Sequence, residues 1–141
     1  MNEVIIHLIA TIKYRFAKAI GHQNAQYHGL HLGHGVRTPL AILQHLIGLT
    51  QYTRFILTDS KREFKVPDDW DSCAAMFNDN LEELQQLIQQ GDWDIENVKR
   101  IIQGPLSDAL THIGQLAMMS RINGNPVAKV NYSKEDIHDV D

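Results

Sequence analysis

Apolar residues at the start of the chain recur every three or four positions, which is the spacing of one face of an α-helix. The members of this stripe are Ile5, Leu8, Ile9, Ile12, Phe16, Ala19 and Ile20. Gly21 follows directly and is a natural C-terminal stop. The pattern therefore predicts a first helix over residues 2–20.

A second amphipathic stretch begins at Thr38-Pro39. Threonine is a favourable N-cap, and proline suits the first helical position because its missing N–H would have no partner there. Apolar positions continue to about residue 58, and the polar stretch 59–69 predicts the next connection. The preceding segment, residues 22–37, is rich in glycine and has no clear period, so we interpret it as a loop.

A third long helix is predicted from near Asp71 or Ser72 to a stop at Gly91. Asp94 is a favourable N-cap for a short helix after it. No part of the chain alternates apolar and polar residues as a strand does, and there is no internal repeat.

The last long helix is predicted to open at Pro105, after Gly104 interrupts the short helix, and to run to about Ile122. Gly124 is typical of a C-terminal stop. The chain from Asn125 onwards is predicted to be an extended tail.

The chain has four long amphipathic helices, and the connections between them permit antiparallel packing. Such helices remove their apolar faces from water by packing against one another. We therefore predict an all-α, up-down four-helix bundle with an extended C-terminal tail. The length of 141 residues suits one core, so residues 1–141 are expected to form a single domain.

The composition excludes several classes of protein. The net charge is −4, and the absence of a basic excess argues against a nucleic-acid-binding surface. The acidic start and the amphipathic segment after it are neither a signal peptide nor a membrane span. The single cysteine, Cys73, permits no internal disulfide and suits a reducing cytosol; we interpret it as a structural residue on a helix. We expect a cytoplasmic protein without a nucleic-acid or membrane partner.

Side chains typical of metal ligands occur on two of the long helices. His45 lies in the middle of the second helix, flanked by apolar residues of the same face. Asp108 and His112 are four residues apart on the last helix, where positions i and i+4 share a face. Because Leu116 and Met119 continue that face, we expect it to point inward. A buried imidazole or carboxylate needs a polar partner or a metal ion.

Two interpretations of these residues are open. His45 can be a core histidine with ordinary hydrogen bonds, and Asp108 can simply pair with His112. Alternatively, the three residues hold one divalent metal in the bundle core, with open coordination positions for water or substrate. Gln115, one turn beyond His112, is expected to contact a group beside the site or the substrate.

The loop contains a second candidate metal site, formed by His28, His31 and His34. A glycine-rich segment does not hold such residues in a defined geometry, so adventitious binding of nickel or zinc is the simpler interpretation. Alternatively, the three histidines line the entrance to the bundle core.

The pattern also predicts the positions of two further side chains. Met118 is predicted to lie in the core beside Leu116. Tyr52, two turns beyond His45, is predicted either to face the same cavity or to be buried with its hydroxyl satisfied.

Two segments resemble the DinB/YfiT-like superfamily of metalloenzymes. Residues 37–46 (RTPLAILQHL) resemble its second helix, where a mid-helix histidine is a metal ligand, and His45 takes that place. Residues 104–116 (GPLSDALTHIGQL) resemble its last bundle helix, where two histidines separated by three residues precede Gly-Gln. His112 matches the second histidine, and Asp108 stands where the first commonly stands. In helix order the likeness covers most of the chain.

The resemblance implies an up-down bundle of bacterial origin with His45, Asp108 and His112 as ligands of a divalent transition metal, often nickel or zinc, and frequent homodimers. The aspartate makes the site harder and more anionic, which leaves iron and manganese open as well. Some members of the superfamily are thiol-dependent transferases or isomerases that use bacillithiol, mycothiol or glutathione.

We therefore expect a metal-dependent enzyme that acts on a small-molecule substrate, with a low-molecular-weight thiol as a further cofactor and a transferase or hydrolase reaction. No general base is distinguishable. The alternative is a non-catalytic, stress-associated helical-bundle dimer or metal-binding protein, whose site would be closed by a further protein ligand.

Overall fold

The computed structural model describes residues 1–139, and the regular structure of this part is helical, without a strand. The helices are α1 (Asn2–Ile20), α2 (Ala25–His28), α3 (Pro39–Thr58), α4 (Trp70–Gln89), α5 (Ile95–Ile101) and α6 (Ser107–Ile122), and a 3₁₀ turn covers Tyr132–Lys134. The prediction of an all-α fold is confirmed for these residues.

Side-chain caps explain where three of the helices begin. The hydroxyl of Thr38 accepts a hydrogen bond from the Ala41 N–H at the start of α3, and Asp94 caps α5, both as predicted. Helix α4 begins at Trp70, slightly earlier than predicted, because the carboxylate of Asp69 accepts a hydrogen bond from the Ser72 N–H at 2.9 Å.

The entry into α6 differs from the prediction. Residues Ile102–Leu106 form a π-helical segment that joins α5 to α6, and the backbone is kinked at Gly104, with φ −102° and ψ −105°. Helix α6 therefore starts at Ser107 and not at Pro105. Proline lacks the N–H that a regular helix would use, so the segment widens around it.

The C-terminus of α6 ends as predicted. Gly124 has a left-handed backbone (φ 86°), and its N–H donates to the carbonyl of Arg121. The N–H of Asn125 donates to the carbonyl of Ser120 at 2.9 Å. These two bonds form a Schellman motif, which satisfies helix carbonyls that would otherwise lack partners.

The four long helices pack in a ring. Helix α1 packs on α4 and α6, and α3 packs on the same two helices. Buried side chains from all four form one cluster, and the rings of Phe16 and Phe77 join α1 to α4 edge to face, with centroids 4.8 Å apart. Burial of an Ile, Leu or Phe side chain contributes about 1.5–3 kcal/mol, so these apolar faces account for most of the stability.

The segment 22–37, which was predicted to be a loop throughout, contains the short helix α2 and is anchored to the core through it. Tyr27 is fully buried, and its hydroxyl donates a hydrogen bond of 2.7 Å to the backbone carbonyl of Leu116 on α6. Its ring also packs in a T-shaped contact with the ring of Trp70, with centroids 5.7 Å apart. The bond fixes this loop beside the helix that carries His112.

The C-terminal tail packs back along α1. Near its start, the Gln23 side-chain amide donates to the carbonyl of Asn125. Further on, the Arg15 guanidinium lies 4.0 Å from the centroid of the Tyr132 ring. Asp139 pairs with His7, so the tail runs in the direction opposite to that of α1.

Within residues 1–139 no helix is both long enough and apolar enough to cross a membrane.

Candidate metal site

The two predicted histidine ligands lie in direct contact. His45 on α3 and His112 on α6 meet edge to face, with ring centroids 4.7 Å apart and an interplanar angle of 89°. Both residues are half-buried. The packing of α3 on α6 therefore joins two imidazoles that are far apart in the sequence.

The helical periodicity explains why this contact lies at the rim of the core. Successive residues of an α-helix are rotated by roughly 100°, which puts His45 about 110° from the middle of the buried face of α3. His112 lies about 50° from the middle of the buried face of α6. The prediction placed both residues in the core, and the structure instead puts them where the two buried faces end.

Gln115 contacts His112 as a neighbour of the site. The Nδ1 atom of His112 lies 2.8 Å from the side-chain oxygen of Gln115. An amide oxygen only accepts hydrogen bonds, so Nδ1 carries the hydrogen and the lone pair of a neutral ring is on Nε2. An outer hydrogen bond that orients a histidine in this way is typical of metal ligands.

The surroundings of His45 favour its neutral form. Burial lowers the pKa of the imidazole below its usual value of 6.5, and electrostatic interactions with His112 and Arg37 lower it further. The carboxylate of Asp108 acts in the opposite direction. A metal binds the neutral ring, so this environment reduces competition from protons.

Asp108 is the predicted ligand whose position differs most from expectation. Its side chain is exposed, so the expectation that it faces inward is wrong. Asp108 lies about 40° farther from the buried face of α6 than His112, because four residues complete slightly more than one helical turn. Its carboxylate is still near enough to His45 to act on the pKa of that ring.

The donors fit a metal ion only in part. Two imidazoles on one metal, each with a metal–nitrogen distance of about 2.0–2.1 Å, have centroids roughly 5 Å apart, which is close to the observed separation. In the described part of the chain, however, no three His, Cys, Asp or Glu side chains are grouped closely enough to hold a metal. The structure thus brings two of the three predicted ligands together and leaves Asp108 at the edge.

The loop histidines are not assembled into a site. His28 stacks on the ring of Trp70, with centroids 4.4 Å apart and planes within 5° of parallel. His31 and His34 are exposed. His34 has a left-handed backbone (φ 58°) between two left-handed glycines, which makes a tight turn.

Cys73 is fully buried in α4, as the structural interpretation predicted. Its Sγ–H donates to the carbonyl of Pro67 at 3.2 Å. Burial, together with the charges of Asp69 and Asp68, raises the pKa of the thiol.

Two assignments from the sequence pattern were wrong. Met118 is 55% exposed, whereas its neighbour Met119 is buried. Tyr52 is 54% exposed and does not lie in the core. Both residues lie on the outer side of their helices. Single apolar residues are common on protein surfaces, so an apolar residue type does not by itself predict burial.

No protein-family model, no curated protein and no solved structure matches this chain.

Proposed function

We propose that this chain is a divalent-metal-dependent enzyme of the DinB/YfiT-like kind, with its four long helices arranged as an up-down bundle. His45 and His112 are the principal ligands, and Asp108 completes the set after its side chain turns towards them. The metal is nickel, zinc, iron or manganese, and the substrate is a small molecule.

The contact between His45 and His112 carries this proposal. Packing alone does not explain why two half-buried imidazoles lie in contact. Apolar side chains would fill the same rim with a smaller free-energy cost of desolvation. Their separation suits a shared metal, and Gln115 holds His112 with Nε2 available. The i, i+4 spacing keeps Asp108 within reach of the same point.

The rim location suits a catalytic site. A bound metal would polarise a substrate or lower the pKa of a bound water or thiol. The chain's own contribution is to keep His45 neutral, to orient His112 and to leave one side of the pair open to solvent. Group transfer with a low-molecular-weight thiol is the reaction class to test first.

Elemental analysis by plasma mass spectrometry tests the proposal. Tag-free protein, purified without added metal, is compared with His45→Ala and His112→Ala, and all three are also reconstituted with nickel, zinc, iron(II) and manganese. We expect near-stoichiometric metal in the wild type and none in either variant, with unchanged helical circular dichroism. Absence of metal from the reconstituted wild type would refute the proposal.

A non-catalytic dimer is the second candidate. Met118 and Ile122 are 55% and 53% exposed and lie one turn apart on α6. An apolar pair of this kind suits contact with a second copy. Sedimentation of the wild type and of Met118→Lys/Ile122→Lys tests this candidate: a dimer that the double variant abolishes supports it, and a wild-type monomer contradicts it.

A further inference from the structure

A groove follows the outer side of the second half of α3. It encloses about 380 Å³ between the helix and the segment after it, and its lining includes Gly48, Tyr52, Phe55, Lys61, Arg62 and Phe64. This volume lies within the range of pockets that hold small ligands. None of the candidate metal ligands lines it.

The walls of the groove are aromatic and partly open to solvent. Tyr52 is 54% exposed and Phe64 is 44% exposed. Phe55 is half-buried, and the ammonium group of Lys61 lies 5.5 Å from the centroid of its ring. Covering these rings with an apolar group would be favourable, because it removes apolar surface from water.

The charged side chains that line the far end of the groove, Arg54, Lys61 and Arg62, are all cations. Arg54 and Arg62 share one carboxylate, Glu83, at 3.7 Å and 2.7 Å. Lys61 forms no ion pair with any of residues 1–139. The lining of the groove is therefore cationic, although the whole chain has a net charge of −4.

Two carboxylates are close in sequence to these cations. Asp59 and Glu63 are both exposed, and neither forms an ion pair with a cation of the groove in the described part of the chain. Neither carboxylate lines the groove, so both offset the charge of the cations only from outside it.

The near end of the groove lies beside the candidate metal site. Gly48 follows His45 by three residues, which places it one helical turn further along α3, at a Cα separation of roughly 5 Å. A ligand held in the groove would thus extend from the cationic end towards the two histidines.

We propose that this groove binds an amphipathic carboxylate, with its apolar body on Tyr52 and Phe64 and its carboxylate at Lys61 and Arg62. As a statement of substrate class, this inference rests on the proposed function. The binding itself does not require a metal, so it is tested on the metal-free protein, where failure of the metal site has no effect.

The probe is 4-phenylbutyrate, compared with the neutral 4-phenylbutanol and the cationic 4-phenylbutylamine. Each is titrated into the isotope-labelled, metal-free full chain and followed by the amide chemical shifts of Gly48, Tyr52 and Phe64. We expect saturable chemical-shift changes with the acid. The affinity for the alcohol should be lower by about threefold or more, because one or two exposed charge contacts contribute a factor of this size. High salt should weaken the binding of the acid but not that of the alcohol, because salt screens exposed charges.

Variants assign the charge recognition to named residues. Lys61→Gln/Arg62→Gln should lower the affinity for the acid by about threefold or more and leave the affinity for the alcohol unchanged. Lys99→Gln/Arg100→Gln, on α5, makes the same change in net charge and should have no effect. Lys61→Gln alone removes no ion pair with residues 1–139 and keeps the test valid if the double variant unfolds. His45→Ala should bind the acid as the wild type does.

Three outcomes would overturn the inference. The first is the absence of shifts at these amides up to millimolar ligand, and the second is equal affinity for acid, alcohol and amine. The third is a concentration-dependent shift of the same amides without ligand, together with a dimer that Tyr52→Ala abolishes. That last result would assign the groove to a second copy of the chain.

Discussion

The imidazole of His45 touches that of His112 across the interface of α3 and α6, with ring centroids 4.7 Å apart. Each ring lies where the buried face of its helix ends, so the pair is shielded on one side and open on the other. Unlike a site enclosed in a core, this pair is accessible from solvent without movement of a helix.

Asp108→Asn is expected to weaken metal binding less than His112→Ala does. The carboxylate is exposed and stands apart from the imidazole pair, so it must turn inward to reach a metal. Isothermal titration with nickel and zinc measures both affinities. If Asp108→Asn abolished binding as completely as His112→Ala, the carboxylate would be an equal ligand from the start.

Gln115→Leu is expected to lower metal affinity by about 10–100-fold, the usual effect of losing a hydrogen bond that orients a ligand. The amide oxygen holds Nδ1–H of His112 and so presents Nε2. Gln115→Glu should retain most of the affinity, because its carboxylate also accepts this bond. Gln89→Leu, on an exposed site at the end of α4, is the control and should bind metal normally.

Tyr27→Phe is expected to lower the free energy of unfolding by about 1 kcal/mol, the usual net value of one hydrogen bond. Its hydroxyl donates to the Leu116 carbonyl at 2.7 Å in a buried setting. Urea denaturation measures the change. Tyr52→Phe should stay within about 0.5 kcal/mol of the wild type, because surface substitutions usually do; an equal loss in both variants would contradict the assignment.

Cys73 is expected to react very slowly with Ellman's reagent in the folded protein. Burial raises the pKa of its thiol, and only the thiolate attacks the reagent. Addition of guanidinium chloride should make the reaction fast and complete. Rapid reaction of the native protein would show that the segment around Pro67, whose carbonyl accepts the thiol hydrogen, opens readily.

Asp69→Asn is expected to reduce the loss of stability in acid. The hydrogen bonds from Ser72 hold the pKa of the Asp69 carboxyl below its usual value of 3.8. A carboxyl with a lowered folded pKa stabilises the protein above the unfolded pKa, and that stabilisation is lost as the pH falls through the folded pKa.

Asparagine caps α4 without titrating. The urea midpoint of Asp69→Asn should therefore fall less than that of the wild type on acidification from neutral pH to below the usual aspartate pKa. Asp79→Asn, exposed in the middle of α4, is the control and should behave as the wild type does. A wild-type acid response in Asp69→Asn would show that the cap bond contributes nothing.

Local signals in the sequence predicted the helices well. The bounds of the first two long helices agree with the structure, because their ends are set by neighbouring residues: Thr38 and Pro39 open α3, and Gly21 follows α1. The Gly124 stop of α6 was also predictable, since a left-handed backbone there favours glycine. The entry into α6 was not, because a proline suits the first position of a helix as well as the widened π-helical segment that Ile102–Leu106 forms.

The sequence by itself determined which long helices form and which residues are chemically able to bind a metal, but not the short helix α2 within the predicted loop. Only the tertiary structure decided that His45 and His112 meet at a rim and that Asp108 stays exposed. It also decided that Tyr52 and Phe64 line one groove with Lys61. The physical reason is that caps and helical periodicity act within a few residues, whereas the depth of a side chain depends on how one helix is rotated against another.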